Sequence, residues 1–243
     1  MAGHQAMTGT LHLIGVGPGD PELLTLKAAR LLGTAPVVAY PATVEDQALA
    51  LEIASPHLNP DAERMPITIP MRVDRAPAKA AYDRAAAAML TRLNAGDDIA
   101  YLCEGDPLFY GSAMYLVDRI ASHAPIEIVP GVSSLTAAAA SIRRPIAARN
   151  EVLKVLPAPL PDETLREELA NAPAAAIIKV GRHFDRVRAL LMETGHAGNA
   201  VVVEHASSGR ERISPLSAFR HDERPYFSII LCYRGHEPWG RTP

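Results

Sequence analysis

The chain has 243 residues, of which 48% are apolar, 21% charged and 5% aromatic, a composition typical of a globular protein and not of a disordered, collagenous or disulfide-rich chain. Lys and Arg number 24 against 27 Asp and Glu. The resulting formal net charge of −3 provides no overall field that would attract nucleic acid or an anionic membrane.

Two further features of the sequence indicate where the protein works. Cys103 and Cys232 lie far apart in apolar runs, which predicts buried, reduced thiols. No apolar stretch approaches the roughly 20 residues that span a bilayer, and the first residues lack the pattern of a secretory signal. We therefore expect a cytoplasmic protein that acts neither on membranes nor on nucleic acids.

The first half of the chain alternates apolar runs with helical patterns. A β-compatible run at 10–16 ends in glycines, and 21–32 is predicted to be one helix with Asp20 as N-cap and Gly33 as a left-handed C-cap. Further strands are predicted at 37–40, 99–103 and 126–129, and further helices at 78–93, 112–121 and 135–142. This alternation predicts a mostly parallel α/β sheet.

The pattern changes after Arg143-Arg144-Pro145. The later strands are predicted at 152–156, 175–180, 200–204 and 227–233, with a helix at 163–172. We therefore place a domain boundary near Ala148, which gives an N-terminal α/β domain over 8–148 and a smaller mixed α/β domain over 149–243.

Three polar loops that contain glycine follow successive predicted strands of the first half, at 15–20, 104–107 and 130–134. Asp20 stands where a dinucleotide fingerprint has Gly or Ala, and a carboxylate at a helix N-terminus repels a pyrophosphate, so NAD and nucleoside triphosphate sites are disfavoured. The carboxylates of the second loop can accept hydrogen bonds from ribose hydroxyls or attract a cation. Together the loops predict a nucleoside-sized site for a ligand without phosphates, and unrelated tight turns are the alternative.

Three segments, VGPGDPELLTLKAARLL, LCEGDPLFYGS and VPGVSSLTAAAAS, resemble in this order the signatures of the tetrapyrrole (corrin/porphyrin) methylases, which methylate corrin and sirohaem precursors. The similarity extends from about Gly9 to Tyr233. The second segment is similar to the branch that methylates carbon 20 of precorrin-2, whereas uroporphyrinogen III methylases have a Gly-Gly-Asp-Pro form. The runs VVAYPA, NEVLKVLPA, KVGRH and PYFSIIL agree with that branch.

This resemblance implies a two-domain α/β homodimer, with a mostly parallel sheet in the N-terminal domain and a mixed sheet in the C-terminal domain. It implies S-adenosylmethionine as cofactor, S-adenosylhomocysteine as its product, and conversion of precorrin-2 to precorrin-3A in cobalamin biosynthesis. The residues that it assigns to the cofactor are Pro18, Glu104, Gly105, Asp106, Phe109, Ser133, Ser134, Val180 and Ala206. Relatives often have Met in place of Val180 and Asn-Gly near Ala206, so the side-chain contributions of these two stay open.

The implied chemistry needs no covalent nucleophile, because the tetrapyrrole supplies the electrons and holding the reactants in line lowers the barrier. We expect no catalytic triad, and the nine histidines show no spacing typical of a metal site. Glu104 and Asp106 are candidates for a general base, and the alternative is that they orient the cofactor and cap the next helix. No catalytic residue is assigned.

A substrate rich in carboxylates needs cations in its binding site. The basic residues considered for it are Arg64, Arg72, Arg75, Lys79, Arg84, Arg143, Arg144, Arg149, Arg182, His183 and Arg186, and His205 lies beside a predicted strand end. Arg143, Arg144 and Arg182 are the first choices because they adjoin predicted strand ends and because Arg clamps a carboxylate through two hydrogen bonds.

Three other functions remain open from the sequence. A cobalt-factor II C(20)-methyltransferase would differ only in a substrate that already carries cobalt. An RNA methyltransferase on the same scaffold would need an extended basic face, whereas the Arg residues here are scattered. A non-catalytic sensor would keep the cofactor loops without transferring a methyl group.

Overall fold

The computed structural model describes residues 8–43, 48–70, 76–220 and 227–235. The chain divides into two compact units, Met1–Ser133 and Ser134–Pro243. Each unit has its own five-stranded sheet. The α/β fold class, with one parallel and one mixed sheet, is confirmed.

The first unit is built on a parallel sheet in the order β3-β2-β4-β1-β5. Its strands are β1 (Leu11–Gly15), β2 (Val37–Ala42), β3 (Glu63–Thr68), β4 (Ile99–Cys103) and β5 (Ile126–Val129). Its helices are α1 (Leu26–Leu32), α2 (Leu49–Ala54), α3 (Ala76–Asn94) and α4 (Met114–Ile120). Because every paired strand is parallel, all five carboxyl ends lie at one edge of the sheet.

Both faces of this sheet are covered by helices, which explains why β1 and β4 are buried throughout. Leu13 and Tyr101 face one core with side chains of α3 and α4. Ile14 and Leu102 face the opposite core with side chains of α1 and α2.

The single helix predicted over 21–32 is wrong, because the chain forms two separate helical segments there. A short 3₁₀ helix spans Pro21–Leu23, and α1 starts again after Thr25, whose hydroxyl accepts from Ala28 N at 3.1 Å. Gly33 ends α1 at φ −70°, so the predicted left-handed C-cap is also wrong. Asp20 is the predicted N-cap, and its carboxylate accepts from Glu22 N at 2.8 Å.

The second unit has a mixed sheet in the order β6-β7-β10-β8-β9. Its strands are β6 (Leu153–Pro157), β7 (Ala174–Ile178), β8 (Ala200–Glu204), β9 (Arg212–Pro215) and β10 (Ser228–Tyr233). Its helices are α5 (Ser134–Ser141), α6 (Asp162–Ala170) and α7 (Phe184–Glu193). The central strands pack against α6 and α7 through one apolar core.

Helix α5 belongs to the second compact unit, because the chain divides between Ser133 and Ser134. This division lies N-terminal to the boundary that the sequence predicts near Ala148. Arg144, which follows α5, donates to Leu231 O in β10 at 3.1 Å, and it ties this segment to the second sheet. The domain assignment of 8–148 and 149–243 stays a prediction.

Four elements were not predicted from the sequence: α2, β3, α7 and β9. Both β3 and β9 are edge strands that carry a proline and are mostly exposed, so they lack an apolar run. In α7, Phe184, Val187 and Leu191 do repeat at helical spacing, and that signal could have been found. Within the part of the chain that the structure describes, no helix has both the length and the apolarity needed to cross a membrane.

Candidate functional site

The parallel sheet brings together the three loops that the sequence singled out. We call 16–20 loop one, 104–112 loop two and 130–133 loop three. They follow β1, β4 and β5, which are adjacent in the sheet. Loops one and two are joined by an isolated bridge, with Gly17 N donating to Gly105 O at 3.2 Å and Gly105 N donating to Gly17 O at 2.8 Å. Ligands of open α/β sheets bind at this edge.

Glycines allow the main chains of these loops to touch. A Cβ on Gly131 would lie 2.1 Å from Gly105 O, and one on Gly15 would lie 2.6 Å from Gly131 N. Neither position tolerates a side chain, because main-chain atoms cannot move out of the way cheaply. The glycines therefore allow direct main-chain contact between neighbouring loops.

The carboxylate of Asp106 locks loop two to loop three. Its Oδ1 accepts from Leu108 N at 2.9 Å and from Phe109 N at 3.1 Å, while its Oδ2 accepts from Gly131 N at 3.0 Å. Three main-chain donors thus point at one side chain, an arrangement that a neutral side chain reproduces only in part. Asp106 shapes the site through the main chain.

Glu104 is half-buried at the start of loop two. Its carboxylate accepts from its own N–H and from Ala50 N in the first turn of α2, where Ala48 supplies no side-chain cap. Burial raises the pKa of Glu104, and these two hydrogen bonds oppose that shift. The side chain therefore connects the site to α2, a link that depends on tertiary structure and that the sequence did not reveal.

Loop two presents an apolar tip to solvent. Leu108, Phe109 and Tyr110 are 53%, 37% and 42% exposed, and the rings of Phe109 and Tyr110 meet edge to face at 5.1 Å between centroids. Tyr110 has φ 55°, and a Cβ on Gly111 would lie 2.6 Å from Pro107 O. A tight loop that holds a tyrosine in the left-handed region stores strain of the kind found at binding sites.

The remaining predicted residues of the first unit lie near this arrangement. Pro18 is half-buried in loop one. Ser133 is half-buried in loop three, and a Cβ on Gly105 would lie 3.9 Å from its Cα. Ser134 is exposed at the start of α5 in the second unit. Pro18, Gly105, Asp106 and Ser133 thus belong to loops that meet, and their contact with a cofactor stays a prediction.

In the second unit, Val180 and Ala206 follow strands that end at the same edge. Both β7 and β8 run antiparallel to β10 and hence parallel to each other. Val180 and Ala206 are buried. Three neighbouring residues have positive φ, namely Lys179 at 57°, His205 at 48° and Ser207 at 63°. Left-handed backbone at residues other than glycine is costly and is concentrated at functional sites. No sequence pattern predicted it at these positions.

The expectation that Arg144 clamps a substrate carboxylate is wrong. The side chain is 7% exposed, it donates to Asn199 O at 3.2 Å and to Leu231 O at 3.1 Å, and burial lowers its pKa. Arg186 is also structural, since it donates to Leu160 O at 3.1 Å and pairs with Asp162.

The other basic residues considered for the substrate lie mainly on the surface. Arg72 and Arg75 lie outside the described residues. The exposed ones are Arg64, Lys79, Arg84, Arg143, Arg149 and Arg182. His183 and His205 are half-buried, and burial lowers the pKa of each, followed by the charge of Arg186 at His183 and of Arg210 at His205. Within the described ranges, no three His, Cys, Asp or Glu side chains are grouped closely enough to hold a metal ion.

Comparison with known proteins agrees with the arrangement of fold and loops. Residues 10–218 match the family model of the tetrapyrrole (corrin/porphyrin) methylases. The chain belongs to this family, as the resemblance of its loop motifs implied.

Several curated relatives align over nearly all of this chain. It is 36% identical over 231 residues to precorrin-2 C(20)-methyltransferase of Sinorhizobium sp., covering 92% of this chain and 94% of that protein. It is 32% identical over 234 residues to cobalt-precorrin-2 C(20)-methyltransferase of Salmonella typhimurium, covering 95% and 99%. It is 40% identical over 235 residues to cobalamin biosynthesis protein CobIJ of Mycobacterium tuberculosis, covering 93% of this chain and 46% of that protein, so it spans about half the length of CobIJ.

The fold is shared with solved structures. A uroporphyrin-III C-methyl transferase from Thermus thermophilus, in complex with S-adenosylhomocysteine, is 28% identical and superposes with a TM-score of 0.67, covering 92% of this chain and 97% of that one.

Proposed function

We propose that this chain is an S-adenosylmethionine-dependent methyltransferase that methylates carbon 20 of precorrin-2, giving precorrin-3A in cobalamin biosynthesis. The observation that carries the proposal is the 36% identity to a precorrin-2 C(20)-methyltransferase over 92% of this chain and 94% of the relative. The meeting of three glycine loops at the carboxyl edge of a parallel sheet supports it, because this edge is where such folds bind ligands.

The chemistry of the loops fits the proposed cofactor. Carboxylates at loops one and two disfavour phosphates and suit a ligand that carries hydroxyl groups and a positive charge. When bound, S-adenosylmethionine supplies a methyl group on a positively charged sulfur, which the substrate carbon attacks. The residues proposed to hold it are Pro18, Glu104, Gly105, Asp106, Phe109, Ser133, Ser134, Val180 and Ala206.

The role of the protein in this reaction is to position the reactants. Asp106 fixes the main chain of loops two and three, and Glu104 fixes the start of loop two against α2. Both carboxylates accept main-chain N–H groups, so an orienting role is favoured over proton abstraction for both. Proximity and alignment of the reacting atoms can lower a barrier by on the order of 7–11 kcal/mol without a covalent nucleophile.

The test compares the two ring systems that the relatives act on. Purified protein is incubated with S-adenosylmethionine labelled in the methyl group and with either precorrin-2 or its cobalt complex. The products are separated, and their masses are measured by mass spectrometry. We expect turnover of the metal-free ring. Exclusive turnover of the cobalt complex would assign the chain to the reaction of the Salmonella relative, and label on RNA or no transfer at all would contradict a tetrapyrrole methylase.

We also propose that the active form is a cytoplasmic homodimer, since the family resemblance implies a dimer and the buried cysteines suit a reducing compartment. Light scattering of the purified protein should give twice the mass of one chain. A monomer that transfers methyl groups at full rate would contradict the dimer.

A further inference from the structure

The turn that follows β8 carries a buried residue between two left-handed ones. We call 205–207 the β8 turn. His205 has φ 48° and Ser207 has φ 63°, and Ala206 between them is 6% exposed. Left-handed backbone is unfavourable for residues other than glycine, because their Cβ lies too close to the main chain. The β8 turn therefore keeps its shape only where other contacts hold it.

Main-chain hydrogen bonds hold the beginning of the β8 turn but not its centre. His205 N donates to Phe227 O at 2.9 Å, and Ser208 N donates to His205 O at 3.0 Å. Within the part of the chain that the structure describes, no backbone hydrogen bond uses the N–H or the C=O of Ala206. The residue that the proposed function places at the cofactor thus needs support from elsewhere.

That support is a carboxylate from farther along the chain. Oε2 of Glu211 accepts from Ser207 N at 2.6 Å, and it accepts from the hydroxyl of Ser141, the last residue of α5, also at 2.6 Å. Both distances are short, as expected for hydrogen bonds to an ionised acceptor. The side chain of Glu211 is half-buried. One oxygen atom therefore connects the left-handed Ser207 to α5 within the second unit.

The main chain of Glu211 is itself held in place. Glu211 N donates to Ser208 O at 3.0 Å, and Arg210 N donates to the hydroxyl of Ser208 at 3.1 Å. The next residue, Arg212, begins β9 and lies opposite Glu204 of β8 in the sheet. The edge of the sheet thus delivers the carboxylate to the β8 turn.

We propose that Glu211 is a positioning residue for the cofactor site: its carboxylate holds Ser207 in the left-handed region and so fixes the main chain of Ala206 where the cofactor binds. The inference rests on the proposed function, which assigns Ala206 to the cofactor. The side chain of Ala206 is a single methyl group, so its polar contacts with a ligand go through the main chain. Glu211 acts on that main chain and needs no contact of its own with the cofactor.

The test measures binding of S-adenosylhomocysteine by calorimetry, well below the melting temperature of each variant. Glu211→Ala removes the acceptor of Ser207 N, and we expect binding about 5- to 20-fold weaker, the loss of a hydrogen bond to a charged group. Glu211→Gln keeps an acceptor oxygen and should bind within about 3-fold of the wild-type chain. In turnover, Glu211→Ala should raise the KM for S-adenosylmethionine and leave kcat within about two-fold.

The matched control is Glu167→Ala, which removes an exposed glutamate from α6 in the same unit. Its affinity for S-adenosylhomocysteine should stay within about 1.5-fold of the wild-type value, as is typical of a surface substitution.

A glycine at position 207 separates positioning from general loss of stability. Glycine adopts positive φ without strain, so a chain with Ser207→Gly depends less on the carboxylate. We expect Ser207→Gly alone to bind S-adenosylhomocysteine within about 3-fold of the wild-type chain, and Glu211→Ala to weaken binding by no more than about 2-fold in the Ser207→Gly background. An equally large loss in both backgrounds would mean that Glu211 does not act through Ser207.

The outcomes separate the inference from the function on which it rests. If the wild-type chain binds S-adenosylhomocysteine and Glu211→Ala binds it within two-fold as well, the positioning role alone is wrong, whatever happens to the melting temperature. If the wild-type chain binds neither S-adenosylhomocysteine nor S-adenosylmethionine, the proposed function fails and the positioning role fails with it.

Discussion

Single residues determine the shape of the candidate site through main-chain hydrogen bonds, and Asp106 is the clearest case. Asp106→Ala leaves three N–H groups without their acceptor, so we expect S-adenosylhomocysteine to bind at least ten-fold more weakly and the free energy of unfolding to fall by about 1–3 kcal/mol. Asp106→Asn keeps one acceptor oxygen, so we expect its affinity and its free energy of unfolding to lie between those of the wild-type protein and Asp106→Ala. Calorimetry and denaturant unfolding measure both effects.

The control for Asp106 is Asp118→Ala, an exposed aspartate on α4 in the same unit. It should change stability by no more than about 0.5 kcal/mol, as is typical of surface substitutions. Unchanged affinity in Asp106→Ala would contradict the role of this carboxylate as the lock between loops.

Glu104 gives a prediction with a defined pH dependence. Burial raises its pKa in the folded protein, so folding favours the protonated carboxyl, and that stabilisation is lost as the pH rises through the folded pKa. Glu104→Gln mimics the protonated form. We expect it to raise the melting temperature near pH 8 by about 2–4 °C, the effect of roughly 1 kcal/mol in a chain of this size.

The gain in Glu104→Gln should shrink as the pH falls toward the ordinary pKa of a glutamate. Differential scanning calorimetry from pH 5 to 8 measures this trend. A gain in melting temperature that is constant across that range, or a loss at pH 8, would mean that burial does not destabilise the ionised carboxylate of Glu104.

The sequence allowed some of these residue roles to be predicted and not others. Asp20 was predicted as an N-cap because its partner lies two residues away. The partner of Glu104 lies in α2 and that of Asp106 in loop three, and only the packed sheet brings them near. Arg144 was misjudged for the same reason, since its carbonyl partners are distant in sequence.

At the scale of elements, the contact of the three loops requires glycine. Gly131→Ala would place a Cβ 2.1 Å from Gly105 O and 2.8 Å from Gly15 Cα, so the loops must separate. We expect a loss of about 1–3 kcal/mol or more in the free energy of unfolding, and loss of S-adenosylhomocysteine binding. Thermal unfolding with and without ligand measures both.

Gly198→Ala is the matched control, because nothing lies within 4 Å of a Cβ at that position. It should melt within about 2 °C of the wild-type protein. If Gly131→Ala behaves like this control, the close contact of the loops is not what shapes the site.

A second prediction at this scale concerns the turn after α7. His196 is buried, its Nε2 lies 3.3 Å from Ala172 O, and its Nδ1 lies 3.0 Å from Thr194 Oγ1, so the side chain connects the end of α7 to the turn before β7. Burial lowers the pKa of His196 below 6.5. The neutral form is favoured in the fold, and stability should fall as the pH drops below that value.

The measurement is the melting temperature between about pH 7.5 and 5.5. His196→Gln should have a lower melting temperature than the wild-type protein at pH 7.5, because the contacts of the imidazole are lost. Its melting temperature should fall less steeply as the pH drops than that of the wild-type protein. Burial also lowers the pKa values of His183 and His205, so the variant should retain part of the decrease in melting temperature at low pH. Parallel slopes in the two proteins would contradict the role of His196.

The elements themselves were largely predictable where a strand is buried on both faces. The buried strands at Ile99–Cys103 and Ala200–Glu204 were predicted with their observed bounds. The strand at Ile126–Val129 was also predicted with its observed bounds, although it is a partly exposed edge strand. The split before α1 was missed, because the hydroxyl of Thr25 competes locally with an otherwise continuous helical pattern. The edge strands β3 and β9 were missed because they are held by their neighbours and carry no apolar run of their own.

At the scale of the whole chain, the family and the α/β architecture followed from the order of the loop motifs, and the family match over residues 10–218 confirms the family. The division at Ser133 and Ser134 was not predicted, since α5 continues the alternation of the first half in sequence but packs with the second sheet. Sequence periodicity reports which face of a helix is apolar, and it does not report which sheet that face covers.

The position of the transferred methyl group tests the central claim most directly. Protein is incubated with precorrin-2 and with S-adenosylmethionine carrying ¹³C in its methyl group, and the product is examined by NMR. The account predicts one new ¹³C methyl signal, bonded to carbon 20 of the ring. A methyl group at any other ring carbon, or none on the ring, would contradict it.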